Sequence, residues 1–478
     1  MAIKIMYQNS PIGSKLTNFL KPLSTKSFQR CTLYHRLCIS RMYQPVENMY
    51  VNKGEENETN LEKNLACNSH RLMKSYGMIF GVQTGLFYML PWTQRALDKL
   101  IRLIDQEMES IGAQKMTMTC LTPAELWKKT GRWDSMGSEL LKLPDRHKKM
   151  FCLGPTHEEA VTFLVSQKKL ERKHLPLKLY QITRKFRDEM APKYGLLRSR
   201  EFDMKDLYTF DESVEKAEET YNSVCDAYNR LFTRLGVNFI KVEGATGVIG
   251  GTLSHEYHIP ASAGQDSLFI CNKCGIGVNK EVMDKDVLQT NHCKHRDCCD
   301  LKTSSGIEVG HTFLLGTKYS EPFNLHYNYV EGQKHLVEMG CFGLGVSRIL
   351  QASIEHLSSD IQVVWPKLIA PYQVCIIPQK AGYKADVTWA LAEQLYDQLN
   401  SIPHLRGEIV LHDKIQLSIG KRLKNMRRIG FPYAIVLGKK ALEEEPLFEL
   451  QSLYSNSSDM LTMPDLIDKL KNSIETIK

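Results

Sequence analysis

The sequence has 478 residues, 42% hydrophobic and 24% charged, with a formal net charge of +8. This is the composition of a soluble chain long enough for two or three domains, and its apolar runs are far too short to span a bilayer. The modest positive charge permits a nucleic-acid partner without demanding one, and thirteen scattered cysteines, an odd count, argue for reduced thiols over a disulfide framework.

The first 46 residues contain no Asp or Glu and carry Lys4, Lys15, Lys21, Lys26, Arg30, Arg36 and Arg41 among many Ser and Thr. This composition predicts a mitochondrial presequence; the spread of the basic residues favours it over a basic arm that touches RNA. Residues 47–68 are polar and read as a linker. An amphipathic helix is predicted from Thr93 to Ile111, with Leu97, Leu100, Ile101, Ile104, Met108 and Ile111 on one face and Gly112 ending it. Gln114 to Leu121 alternates like a strand. Thr156 and Glu159 have capping-box spacing for a helix to about Leu170, which leaves Glu158 on another face.

From Leu179 to Leu207 the pattern is strand, loop and returning strand, with Pro192 and Gly195 punctuating the loop. This hairpin carries Arg187, Glu189, Arg198 and Phe202. Arginines and a glutamate aimed into one cleft suit a polyphosphate, which guanidinium binds through paired, charge-assisted hydrogen bonds. Asp211 is placed as the cap of a long helix to Leu235. A glycine-rich turn then leads into Ser254-His255-Glu256. Cys271 and Cys274 form a C-x2-C pair, followed by Cys293 and Cys298 in C-x4-C spacing beside Cys299, His292 and His295. Cys271, Cys274, Cys293 and Cys298 are candidate ligands of a structural zinc ion; a loop with free thiols is the alternative. Glu338 to Arg348 reads as strand, glycine turn and helix, the glycines allowing close approach of backbone to a ligand. After a boundary at Trp365–Pro371, strands and helices alternate as in a small α/β sheet. Lys421, Arg422, Lys424, Arg427 and Arg428 lie on or beside its second helix.

Taken together, these stretches resemble the class II aminoacyl-tRNA synthetases, and among them the prolyl branch, over nearly everything from about Ser69 to Lys478. Phe186-Arg187-Asp188-Glu189, a loop, then Arg198 and Phe202 resemble motif 2. Gly343-x-Gly345-x-x-Arg348 resembles motif 3. The helix and strand around residues 93–121 resemble motif 1, with Thr119 where a proline is usual. Leu153-Gly154-Pro155-Thr156-His157-Glu158-Glu159 is similar to the T-x-E loop of prolyl-tRNA synthetases, and the glycine-rich run into Ser254-His255-Glu256 is similar to a stretch of the bacterial-type enzymes.

The resemblance implies an α/β (α+β) fold: an antiparallel-sheet catalytic domain over residues 69–366 and an α/β anticodon-binding domain over 371–478. The short 261–305 segment stands where many bacterial relatives carry an editing domain. It implies ligation of L-proline to tRNA(Pro) through a prolyl-adenylate, with ATP and Mg2+, by a homodimer in the mitochondrial matrix. Thr156, Glu158, Arg187 and His255 would bind proline. Arg187, Glu189, Arg198, Phe202 and Arg348 would bind ATP, with Arg187, Glu189 and Arg348 catalytic and Glu338 a candidate magnesium ligand. The basic helix would contact tRNA. The alternative is a catalytically impaired, synthetase-like accessory protein that binds nucleic acid. Two departures bear on tRNA handling: Ala191 where relatives have arginine, and His412-Asp413-Lys414 where they tend to show Asp-Asp-Arg.

Overall fold

The computed structural model describes residues 36–45, 67–271, 277–282, 301–329, 333–382 and 384–474. The catalytic part opens with α1 (Asn68–Ser75), the hairpin β1 (Ile79–Gln83) and β2 (Leu86–Met89), and α2 (Pro91–Ser110). Pro91 starts α2, where its missing N–H costs nothing, and Gly112 (φ 74°) ends the turn beyond it. Leu97, Leu100, Ile104 and Met108 are buried along one face, as the spacing predicts. The expected strand from Gln114 splits. β3 (Gln114–Lys115) pairs with the motif 2 hairpin, and β4 (Leu121–Pro123) joins a separate three-stranded sheet with β5 (Lys142–Pro144) and β6 (Met150–Leu153). Between them lie α3 (Ala124–Lys129) and α4 (Arg132–Ser135).

The chain continues through α5 (Glu158–Ser166), β7 (Leu170–Glu171), β8 (Leu177–Phe186), β9 (Glu201–Asp211) and α6 (Val214–Leu235). Then come β10 (Ile240–Glu243), β11 (Leu253–Pro260), β12 (Asp266–Cys271), β13 (Gly277–Asn279) and β14 (Leu301–Gly316). β15 (His326–Asn328), β16 (Lys334–Leu336), β17 (Glu338–Gly345) and α7 (Val346–Leu357) complete this part. The nine-stranded sheet runs β11-β10-β13-β12-β14-β17-β9-β8-β3, with β11 also paired to β14. The expected strand, loop and returning strand are β8 and β9, antiparallel with Lys185 opposite Phe202.

Strand alternation divides the sheet into two faces. Phe342 and Leu344 join the main core with α6 and α7, while Cys341, Gly343 and Gly345 line an open cleft. On β9, Phe202, Met204 and Asp206 line the cleft, and Lys205 reaches Tyr228 of α6 on the other side. Two expected caps differ. The side chain that caps α6 is Ser213, which accepts from the Lys216 amide; Asp211 is buried and accepts from Thr220 Oγ1 at 2.7 Å. Helix α5 is capped by His157 without a side-chain bond, because Thr156 and Glu159 are committed to a buried ion cluster.

The C-terminal part contains β18 (Val374–Ile377), α8 (Ala385–Ser401), β19 (Ile409–Leu411), α9 (Ile419–Ile429), β20 (Tyr433–Val436), β21 (Phe448–Ser452), β22 (Ser457–Leu461) and α10 (Met463–Ser473). Its sheet order is β19-β18-β20-β21-β22, parallel across the first three strands. Lys99 of α2 ties the two parts together. It donates to the Ala370 carbonyl at 2.6 Å and pairs with Glu408 at 2.5 Å, while Arg95 stacks over Tyr372. Residues 36–45, placed inside the leader by composition, pack against the C-terminal part: Leu411 N donates to Leu37 O at 2.8 Å, and Cys38 bridges to Leu411.

Candidate active site

One end of the cleft is built on α5. Thr156 Oγ1 donates to Glu158 Oε1 at 2.7 Å. Arg132 Nη1, from α4, donates to Glu158 Oε2 at 2.8 Å and to Glu159 Oε1 at 3.1 Å. Cys341 Sγ donates to Glu158 Oε1 at 3.1 Å. Both carboxylates are fully buried and Arg132 is 2% exposed. Burial alone would raise the Glu158 acid, but the Arg132 charge and the hydrogen bonds from Thr156, Arg132 and Cys341 hold it down at about 2. Glu159 lies on the opposite side of its ordinary value, pushed up by burial and by the neighbouring Glu158 charge despite Arg132. Glu158, with its ionised form favoured, lines the cavity beside Arg132, and a buried carboxylate is the partner a cationic secondary amine requires. Sequence reasoning found Thr156 and Glu158 but not Arg132, whose local setting, Gly131-Arg132-Trp133, carries no periodic or motif signal.

The floor beneath this cluster is a second buried network. His157 Nε2 donates to the Thr119 carbonyl at 3.0 Å, and His157 Nδ1 accepts from Lys185 Nζ at 2.9 Å. Burial and the Lys185 charge lower the imidazole's proton affinity, which favours this neutral tautomer. Lys185 also pairs with Asp206 at 2.9 Å, and Tyr208 OH donates to Asp206 while accepting from the His157 amide at 2.8 Å. Thr119, the departure in motif 1, thus contributes its carbonyl to orienting the T-x-E loop.

On the motif 2 hairpin, Arg187 lies over the Phe202 ring at 5.4 Å. Its amide donates to the Arg200 carbonyl at 2.9 Å, which ties the two strand ends of motif 2 together. Arg198 Nε donates to Glu189 Oε2 at 2.8 Å. Arg348, the first turn of α7, donates from Nη1 to the Glu308 carbonyl at 2.9 Å and lies 3.6 Å from Glu308 Oε2. Burial would raise the Glu308 acid, but the His311 hydrogen bond and the His311 and Arg348 charges hold it well below the usual carboxylate range. A Cβ built on Gly343 would meet only the His311 carbonyl, at 3.9 Å, so the bare backbone there faces open cleft. One cavity of about 330 Å³ contains Arg132, Thr156, Glu158 and Phe202. A second of about 390 Å³ contains Glu189, Arg198 and Gln265. Glu139, Arg187, Glu308 and Arg348 line both.

The structure therefore brings Thr156, Glu158, Arg187, Glu189, Arg198, Phe202 and Arg348 into one cleft. Three sequence assignments move. His255 does not line either cavity; on β11 it points to α6, where Nδ1 lies 2.6 Å from Tyr221 OH. Glu338 sits at the start of β17, opposite Asp211 and at the far end of the strand from Gly345, so it is not a magnesium ligand at this site. Glu308 and Glu139 are carboxylates that line both cavities and fit the hard-oxygen chemistry of a divalent cation. Arg422 is fully buried and donates to the Pro378 carbonyl at 2.7 Å, which removes it from any RNA-facing surface. Lys421 and Lys424 are exposed, and Arg427 and Arg428 are partly so. Cys274, Cys293 and Cys298 lie outside the described residues; Cys271 is buried at the end of β12, and no group of three or more candidate metal ligands occurs among the described residues.

Residues 141–357 match the model of the tRNA synthetase class II core domain (G, H, P, S and T), and residues 373–473 match the anticodon binding domain. A probable mitochondrial proline–tRNA ligase of Rattus norvegicus is 51% identical over 441 residues, covering 91% of each chain. The chain belongs to the proline–tRNA ligase family. The human probable mitochondrial proline–tRNA ligase is 49% identical over 440 residues, again 91% of each chain. A proline–tRNA ligase of a Wolbachia from Drosophila simulans is 38% identical over 387 residues, 79% of this chain and 89% of the relative. The fold is shared with Giardia lamblia prolyl-tRNA synthetase, solved with prolyl-adenylate (TM-score 0.69, 17% identity, 83% of this chain and 73% of that one). It is also shared with the Cryptosporidium parvum enzyme, solved with L-proline and AMP (TM-score 0.66, 15% identity, 85% and 76%).

Proposed function

We propose that this chain activates L-proline with ATP and transfers it to tRNA(Pro) for mitochondrial translation. The observation that carries this reading is the junction of two cavities: one end negatively charged at Glu158, the other lined by Arg187, Arg198 and Arg348. Proline's secondary ammonium is drawn to the Glu158 side, where Thr156 and Arg132 fix the carboxylate. Its carboxylate is then held toward Arg187, a cation that lines both cavities, so that an oxygen attacks the α-phosphate and pyrophosphate leaves. Phe202 and Glu189 accept the base and ribose side, and Arg348 the terminal phosphates. Catalysis here is positioning and charge stabilisation and needs no protein base. Magnesium supplies charge neutralisation on the phosphates when bound, and Glu308 and Glu139 would hold it.

In the second step the ribose hydroxyl at the tRNA 3′ end takes the prolyl group. Lys421, Lys424, Arg427 and Arg428 of α9 engage RNA phosphates, whose neutralisation supplies much of the affinity. The same reading includes assembly as a homodimer through motif 1, residence in the matrix, and a structural zinc held by Cys271, Cys274, Cys293 and Cys298. Analytical ultracentrifugation, fractionation of mitochondria and elemental analysis test those three points in turn. Pyrophosphate exchange with each of the twenty amino acids tests the central one: proline alone supports exchange, and exchange with another amino acid at a comparable rate would sink the assignment.

A further inference from the structure

The segment from Arg36 to Gln44 has the composition of a leader and the contacts of a structural element. Strand β19 is the outer strand of the C-terminal sheet, and an outer strand exposes a row of unpaired backbone groups. Here that row is covered: Leu411 N donates to Leu37 O at 2.8 Å, Cys38 bridges in parallel to Leu411, and Leu37 N donates to Tyr396 OH at 3.1 Å. Arg36 reaches α8, where Nη2 pairs with Asp397 at 2.6 Å and Nη1 with Glu393 at 2.7 Å, its side chain only 12% exposed. Ile39 is buried in the core that also holds residues of the catalytic part. Ser40 satisfies both oxygens of Asp413, through its amide and its hydroxyl. Gln44 Nε2 then donates to the Tyr76 carbonyl at the end of α1, in the catalytic part.

We infer that residues 36–44 are a permanent strap of the mature protein, closing the open edge of the C-terminal sheet and fastening it to the catalytic part, and that any leader is removed on the N-terminal side of Arg36. Removal at residue 46, as composition suggests, would uncover the Leu411 amide, strip Asp397, Glu393 and Asp413 of their partners, and open the site of Ile39. Asp413, in the His412-Asp413-Lys414 stretch, serves here as the anchor of Ser40. Among the cationic residues of the leader-like region, Arg36 is committed to two carboxylates of the fold, and those before it carry the targeting composition.

The processing half of this inference rests on the mitochondrial reading; the strap does not, and two measurements separate them. Full-length precursor is imported into isolated mitochondria and the N-terminus of the protected product is sequenced. The expected product begins at or before Arg36, and a product beginning at residue 37 or later overturns the inference. Failure to import would count against the mitochondrial reading and leave the strap to the second measurement. In the full chain, Arg36→Asp is expected to lower the thermal midpoint by several degrees, and adding Asp397→Arg to restore most of it by reversing the pair. A single variant that melts within about one degree of the wild type, on the usual scale of mutational shifts, overturns the strap.

Discussion

Arg132→Met tests the charge arrangement at the proline end of the cleft. The guanidinium is 2% exposed, donates to two carboxylates at 2.8 and 3.1 Å, and packs over Trp127 and Tyr319. Methionine keeps much of the volume and removes the charge, leaving Glu158 and Glu159 buried and facing each other. Breaking a buried pair by deleting one partner typically costs about 3–5 kcal/mol, because the remaining charge is uncompensated. One carboxylate must then take up a proton near neutral pH, and Glu158 loses both its fixed orientation and its depressed acidity. The expected result is a urea midpoint well below the wild type. In proline-dependent pyrophosphate exchange, the KM for proline is expected to rise at least ten-fold, equivalent to about 1.4 kcal/mol, while the KM for ATP changes little. Glu159→Gln added to Arg132→Met leaves a single negative charge at Glu158 and should recover part of both losses. Wild-type stability with an unchanged KM for proline in Arg132→Met would refute the reasoning, and so would a double variant no better than the single.

Other consequences are equally direct. Arg187→Ala should lower the exchange rate by about 3–4 kcal/mol, comparable to removing one oxyanion donor, and normal proline-dependent exchange would contradict its placement at the cavity junction. Asp211 is pushed up to about 6, chiefly by burial. A carboxyl whose folded value exceeds its unfolded one favours the folded state when protonated, so stability is lost as pH rises from about 4 to about 6. Asp211→Asn should remove that part of the pH dependence, worth roughly 2–3 kcal/mol, and identical urea midpoint curves for variant and wild type across this window would exclude it. On α9, Lys424→Ala should weaken tRNA binding and flatten its salt dependence by about one ion without changing stability. Arg422→Met should instead destabilise the C-terminal part by about 1–3 kcal/mol, because the Pro378 carbonyl loses its donor; a purely salt-dependent binding defect in Arg422→Met would contradict its burial.

The residues legible in the sequence are those whose role is fixed by short spacing. Arg187 and Glu189 sit at one strand end, Phe202 two residues into the return strand, and Arg348 at a strand-to-helix turn after two glycines, so local chemistry determines where each one lies. What was not legible depends on strand parity and distant partners. His255 lies on β11, none of whose residues line either cavity, and meets Tyr221. Glu308 reaches the cleft because β14 lies beside β17, a pairing between residues far apart in sequence. Arg422 looks like its basic neighbours on α9, but its phase on the helix turns it inward. The capping-box pattern at Thr156 and Glu159 failed because Arg132, from another helix, offered both acidic neighbours a stronger partner. The strap escaped composition altogether, since an acid-free basic segment has the same statistics whether it is discarded or docked.

The two cavities share part of their lining. Glu139, Arg187, Glu308 and Arg348 belong to both. On the proposed placement an amino acid or a nucleotide alone occupies one chamber, whereas the mixed anhydride reaches across the shared lining, so that each half holds the other in place at an effective concentration in the millimolar range or above. Loss of the labile intermediate then requires both ends to let go together. Retention of the activated acid until the RNA end arrives therefore follows from the shape of the cleft, without a gate to close over it.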